Sequence, residues 1–131
     1  MTIQEKFDLA EDYDTDKETL IELAKDENDD VRRFVAQNYN TPIEVLKILA
    51  NDEKEDIQFL VAENLNSNDE IFEILLNQNN AFLQSVVILN PQISDELLLK
   101  LSKDEDIRIK NFALERLEMK NSNSFDLSDN I

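Results

Sequence analysis

Apolar and polar positions recur along this chain at a fixed step of 26 residues. In the first copy Leu20, Leu23, Val31, Phe34 and Val35 are set among the polar Glu18, Asp26, Glu27 and Asn38. Adding 26 gives Leu46, Leu49, Ile57, Leu60 and Val61 with Glu44, Asp52, Glu53 and Asn64. A second step gives Phe72, Leu75, Leu83, Val86 and Val87 with Glu70, Gln78, Asn79 and Asn90. A third gives Leu98, Leu101, Ile109, Phe112 and Ala113 with Glu96, Asp104, Glu105 and Arg116, and no gap is needed. The i, i+3, i+4 spacing inside each copy is the period of one helix face. A unit this short cannot bury its own apolar face, so the copies must stack side by side into a solenoid.

Residues 41–66, TPIEVLKILANDEKEDIQFLVAENLN, show how one unit is expected to fold. Thr41 and Glu44 have the spacing of a capping box, and Pro42 suits the first helical position, where its missing N–H costs nothing. The box recurs as Thr15 with Glu18 and as Ser67 with Glu70; the fourth copy has Ile93 in that register, leaving Ser94 or Asp95 to cap. Behind the cap, Val45, Leu46, Leu49 and Ala50 form the one-sided stripe of a helix A. The polar run 52–56 is a turn, and Ile57, Leu60, Val61 and Asn64 form the stripe of a helix B. Asn64-Leu65-Asn66 closes it, Asn offering the left-handed cap that Gly usually provides. Periodicity leaves open whether one layer is α or 3₁₀.

Four repeats follow, at 15–40, 41–66, 67–92 and 93–118. Stepping back one unit maps Leu9, Ala10 and Tyr13 onto Val35, Ala36 and Tyr39. Residues 1–14 are therefore expected to be a capping half-repeat, a lone helix B with a polar outer face. Residues 119–131, MKNSNSFDLSDNI, lose the pattern and are rich in Ser, Asn and Asp, which predicts a disordered C-terminal tail. A short docking motif of Phe125, Leu127 and Ile131 is the rival reading of that segment.

Composition narrows the partner more than the fold. The 131 residues suit one domain, and 30 acidic against 13 basic residues leave a net charge of −17. Such a surface repels nucleic acid and anionic membranes, because phosphate contact needs clustered Lys and Arg. A protein partner with a basic surface is the natural attraction; plain solubility is the alternative account. Residues 1–30 carry −9, residues 41–92 carry −7 and residues 93–118 only −2, so the N-terminal half offers the stronger field. Gly, His and Cys are all absent. Without Cys there is no disulfide and no thiolate metal site, which suits a reducing, cytoplasmic setting. Without Gly, the 15 Asn residues are expected to supply left-handed turns. The opening MTIQEKFDLAEDYD is acidic and lacks the apolar run of a secretion signal, and no stretch approaches the roughly 20 apolar residues of a membrane span.

The recurring strings TPIEVLKILANDEKEDIQFLVAENLN and LAKDENDDVRRFVAQNYNTP resemble the leucine-rich repeat variant family, a relative of HEAT and armadillo solenoids. The marks are Thr41-Pro42, the Leu-Ala pairs Leu23-Ala24 and Leu49-Ala50, the Asp-Glu turn, and helix B endings Val35-Ala36-Gln37-Asn38 and Val61-Ala62-Glu63-Asn64. The likeness covers residues 15–92 well and 93–118 more loosely. It implies a curved superhelix with one layer either α or 3₁₀, and binding in place of catalysis. Some relatives hold a Cys-ligated iron–sulfur cluster; a chain without Cys cannot. The fold class expected is all-α: a right-handed helical-repeat solenoid of four 26-residue two-helix repeats with an N-terminal half-repeat cap.

No catalytic residues, cofactor or metal site are expected. Nucleophilic sites built on His or Cys are excluded by composition, and phosphate-cradling loops need Gly. Paired carboxylates are plentiful but lie in polar turns, where nothing desolvates them as a glycosidase requires. Asp12, Asp14 and Asp16 match positions 1, 3 and 5 of a calcium loop, yet Lys17 stands where Gly is wanted and Leu23 where a bidentate Glu is wanted. Acids near a helix B start are better read as favouring the helix dipole.

The outward face of helix B is the place to look for a partner. Its register reads Asp30/Arg33/Gln37, Asp56/Phe59/Glu63, Phe82/Ser85/Leu89 and Arg108/Asn111/Glu115 through the four repeats. Phe59, Phe82 and Leu89 are apolar where polar residues are expected, all in repeats two and three. With Asp56 and Glu63 on the rim they form the candidate partner-binding site, an apolar centre in a charged border. The rival reading is packing on the neighbouring hairpin. Helix A carries Ile48 and Ile74 between Glu22 and Lys100 in its outward register. Two functions compete: a non-enzymatic protein-binding scaffold using this patch, or a small acidic inhibitor, an immunity or antitoxin-like protein or DNA mimic, that fills a basic groove.

Overall fold

Each apolar stripe becomes one short α-helix. The computed structural model describes residues 1–129, with side chains through residue 122. The helices are α1 (Ile3–Glu11), α2 (Lys17–Ala24), α3 (Asp29–Gln37), α4 (Ile43–Ala50), α5 (Glu55–Glu63), α6 (Asp69–Leu76), α7 (Ala81–Leu89), α8 (Asp95–Leu101) and α9 (Ile107–Asp129). Among the described residues there is no strand. Helices α1, α3, α5, α7 and α9 lie side by side as one layer, α2, α4 and α6 as the other, and each A helix packs on the B helix after it. This is an all-α solenoid of two-helix repeats, with α1 occupying a helix B position at the N-terminal end. Both layers are α-helical, which answers the question that periodicity leaves open. The core lies between the layers, where Leu46, Leu49, Ile57, Val61, Phe72 and Leu75 are fully buried. Each such side chain contributes about 1.5–3 kcal/mol over an exposed one, so stacking supplies what one hairpin lacks.

Helix starts differ from the capping boxes expected. In the first three repeats the caps sit one residue later: Asp16 accepts from the Thr19 N–H and Asn68 from Ile71, while Pro42 caps α4 with no side-chain bond; in the fourth Ser94 accepts from Leu97, as expected. The hydroxyls of Thr15, Thr41 and Ser67 turn backwards instead. They donate to the carbonyls of Leu9, Val35 and Val61, six residues earlier, at 2.6, 2.7 and 2.6 Å. Each hydroxyl thus adds a donor to a carbonyl in the last turn of the preceding B helix.

Helix exits differ as well. Asn38, Asn64 and Asn90 close α3, α5 and α7 with φ of −66°, −71° and −63°, extended and not left-handed. Their buried amides reach back one repeat. Asn38 Nδ2 donates to the carbonyls of Ala10 and Asp12, Asn64 to those of Ala36 and Asn38, and Asn90 to that of Ala62. Each Oδ1 accepts the N–H two residues on. The chain manages without Gly because its helices leave through backbone any L-residue can adopt. Among the described residues the left-handed region holds only Asn79, at φ 58°. Its cause is local: Asp26, Asp52 and Asp104 each accept the N–H of the second residue after them, a turn that the longer Gln78 replaces in repeat three.

At the fourth repeat Arg116 stands where the other repeats have the stapling Asn. No exit forms there and α9 runs on to Asp129. The disordered tail expected from residue 119 is corrected over its opening residues, where Lys120 donates to the Ile93 carbonyl and Asp95 at 2.8 and 2.9 Å. The docking motif of Phe125, Leu127 and Ile131 lies outside the residues whose side chains are described. Among the described residues no helix is long and apolar enough to cross a membrane.

Candidate protein-docking surface

Neighbouring B helices meet along seams whose register repeats but whose chemistry does not. At the α3/α5 seam, Arg33 Nε donates to Asp56 at 2.6 Å, and the same guanidinium holds Asp30 and Asp29 on its own helix. The Arg33 guanidinium holds the Asp56 carboxyl below its usual range, and the Arg33 value is raised in return, chiefly by Asp56. One step of 26 residues turns Arg33 into Phe59 and Asp56 into Phe82. Their rings then pack at 5.2 Å between centroids, tilted by 59°. A further step gives Ser85 and Arg108.

A second pair lies deeper, between the B helix and the next repeat's turn. Lys6 pairs with Asp26 at 2.6 Å and Arg32 with Asp52 at 2.8 Å, the latter with side chains only 10% and 6% exposed. Hydrogen bonding to Asp52 raises the Arg32 value, and Lys6 leads the causes that lower that of Asp26. In the next register Gln58 Nε2 donates to Gln78 Oε1 at 3.3 Å, a neutral replacement. Repeats one and two are thus clamped by charge inside and outside. Repeats two and three are joined by amides inside and aromatic rings outside.

Aromatic joining leaves apolar surface in water. Phe59 is half-buried against the core, but Phe82 is 69% and Leu89 51% exposed. With Val86, Pro91 and Glu63 they line a groove of about 500 Å³ between α5 and α7. Four of the five residues singled out from sequence (Phe59, Phe82, Leu89 and Glu63) therefore meet in one groove. Asp56 does not: it is drawn to Arg33. Phe59 packs on the core and on Phe82 of the neighbouring hairpin, while most of Phe82 remains open. Ile48 and Ile74 are half-buried against the core.

Sequence reasoning missed a row at the rim. Tyr13, Tyr39, Leu65 and Pro91 follow the B helices at 26-residue steps, and all are exposed. The tyrosine rings stand 6.2 Å apart. Asn40 and Asn66 side chains hold the carbonyls of Tyr13 and Tyr39, fixing the row to the frame. The signal was present in the Tyr13–Tyr39 match, which served only to place the cap. Among the described residues no group of three His, Cys, Asp or Glu is arranged to hold a metal ion.

Compared with known proteins, the chain matches no family model, and no curated protein and no solved structure resembles it closely enough to count as a match.

Proposed function

We propose that this chain is a non-enzymatic protein-binding scaffold that docks its partner in the α5/α7 groove. The observation carrying this reading is the open Phe82 and Leu89 pair in a groove of about 500 Å³, at a register that repeats one and two fill with an ion pair. Buried aromatic anchors dominate binding energy at interfaces, and charged rims steer encounter. A net charge of −17 favours a partner with a basic surface and disfavours nucleic acid or anionic membrane. Membership of the leucine-rich repeat variant family, and a cytoplasmic setting for a chain without Cys, belong to the same reading.

The test is a pull-down with identification of the captured proteins, run in parallel with Phe82→Ser. The scaffold reading expects a partner that the wild type retains and the variant loses, with little dependence on salt. Capture indifferent to Phe82 but steeply weakened as the Debye length shrinks from about 30 to 10 Å contradicts it. That outcome favours an acidic inhibitor or DNA mimic instead.

A further inference from the structure

The α5/α7 groove is the last of three in line. Between α1 and α3 lies a cup of about 230 Å³ whose lining includes Glu11, Tyr13, Phe34 and Gln37. Between α3 and α5 lies one of about 280 Å³ whose lining includes Gln37, Tyr39, Leu60 and Glu63. Gln37 borders the first two cups and Glu63 the second and third, so the three lie in a row across the B layer, a trough stepped by these two side chains. The lining changes along it. The first two cups each combine an exposed tyrosine with a carboxylate, Tyr13 with Glu11 and Tyr39 with Glu63, whereas the third is walled by Phe59, Phe82, Val86 and Leu89. A tyrosine face beside a carboxylate suits a guanidinium, which stacks flat and donates in its plane. Such a site is a poor host for an apolar or acidic side chain.

Spacing restricts the occupant further. Packed helices stand about 8–10 Å apart, and cups repeating with the helices share that interval. A chain extended as a polyproline II helix advances about 3.1 Å per residue with three residues per turn, so every third side chain meets a cup. A helix laid along the same line brings a side chain back to one face at seven-residue steps of about 10.5 Å, just beyond that interval.

We propose that the trough takes an extended basic segment of a partner protein, with arginines in the first two cups and a bulky apolar side chain in the third, at three-residue steps. This rests on the docking reading above and specifies its ligand. The complementarity is of charge as well as shape: residues 1–30, which include the first cup's Glu11 and Tyr13, carry −9.

The test is selection of random phage-displayed dodecapeptides on the full chain, followed by affinity measurement on single-site variants. Selected sequences are expected to share two arginines and an aromatic or large aliphatic residue at three-residue spacing. Tyr39→Ala or Glu11→Gln, both at exposed positions, should weaken these peptides about tenfold, a loss of 1.4 kcal/mol. Moving either arginine by one residue should cost as much. No enrichment overturns the proposal. So do peptides with the apolar anchor alone that ignore Tyr39→Ala; if Phe82→Ser still abolishes their binding, the apolar groove stands and only the extended basic ligand falls. Peptides indifferent to Phe82→Ser as well overturn both.

Discussion

The α3/α5 and α5/α7 seams are the same joint made twice from different material. Arg33–Asp56 outside and Arg32–Asp52 inside hold the first; Phe59–Phe82 and Gln58–Gln78 hold the second. Helix lengths barely change between them, and each is stapled by an asparagine, Asn64 to Ala36 and Asn90 to Ala62. Stacking therefore does not dictate what bridges the outer face, and that position is free to serve something else. In the first seam the bridge consumes its own charges. In the second it leaves an aromatic ring largely in water, which stability alone gives no reason to keep.

The largest effect should come from the inner pair. Arg32→Ala strands the nearly buried Asp52 carboxylate and should cost about 3–5 kcal/mol in urea unfolding. Arg32→Gln with Asp52→Gln copies the neutral pair of the next seam and should recover most of that loss. If the double variant is no better than the single, the two seams are not interchangeable. Asn64→Ala and Asn90→Ala come next, removing the staple of the first seam and of the second. Each should cost about 2 kcal/mol, because buried carbonyls lose their donor. Unequal losses would show that one seam leans on its staple more than the other.

Smaller again is the split between the two rings. Phe59→Ala, half-buried, should lower stability by about 1–2 kcal/mol, while Phe82→Ser should change it by less than about 0.5 kcal/mol. Equal losses would make Phe82 a packing residue. The smallest effect is acid sensitivity. An unfolded Asp titrates near about 3.9, and the Lys6 ammonium and Asn28 N–H hold folded Asp26 lower. Its contribution is therefore present above that pH and fades as pH falls through the folded value. Amide exchange between about pH 4 and 2 should show α2 and α3 losing protection before α6 and α7, whose Gln58–Gln78 link does not titrate. Asp26→Asn should flatten that difference.

What could be read beforehand followed from the period. An apolar stripe repeated at 26 residues fixes helices, layers and core, because any slip would expose Leu46, Leu75 and Leu101, all buried. Helix ends were less legible. Thr41 lies three residues before Glu44 and six after Val35, so its hydroxyl fits a capping box and a backward bond equally well on spacing alone. Asn64 likewise suits a left-handed cap or a side-chain staple, and only the neighbouring repeat decides. The inner pairs escaped because they join positions 20 apart while the repeat is 26. The alternation of Lys6, Arg32 and Gln58 against Asp26, Asp52 and Gln78 was the available sign. Phe82 and Leu89 were visible as apolar residues in a polar register; that Glu63 joins them while Asp56 is taken by Arg33 depends on side-chain direction. The Arg116 break was readable, since an Asn was missing, but its consequence needed the role of the staple.

Phe59→Arg combined with Phe82→Asp tests the account most directly, by placing the bridge of the first seam in the second. Thermal melting and affinity for a partner or peptide captured by the wild type are measured on the same protein. The account predicts a folded helical solenoid whose melting temperature stays within about 5 °C, a change of roughly 1 kcal/mol, with binding lost. A variant that folds and still binds, or one that cannot fold at all, contradicts it.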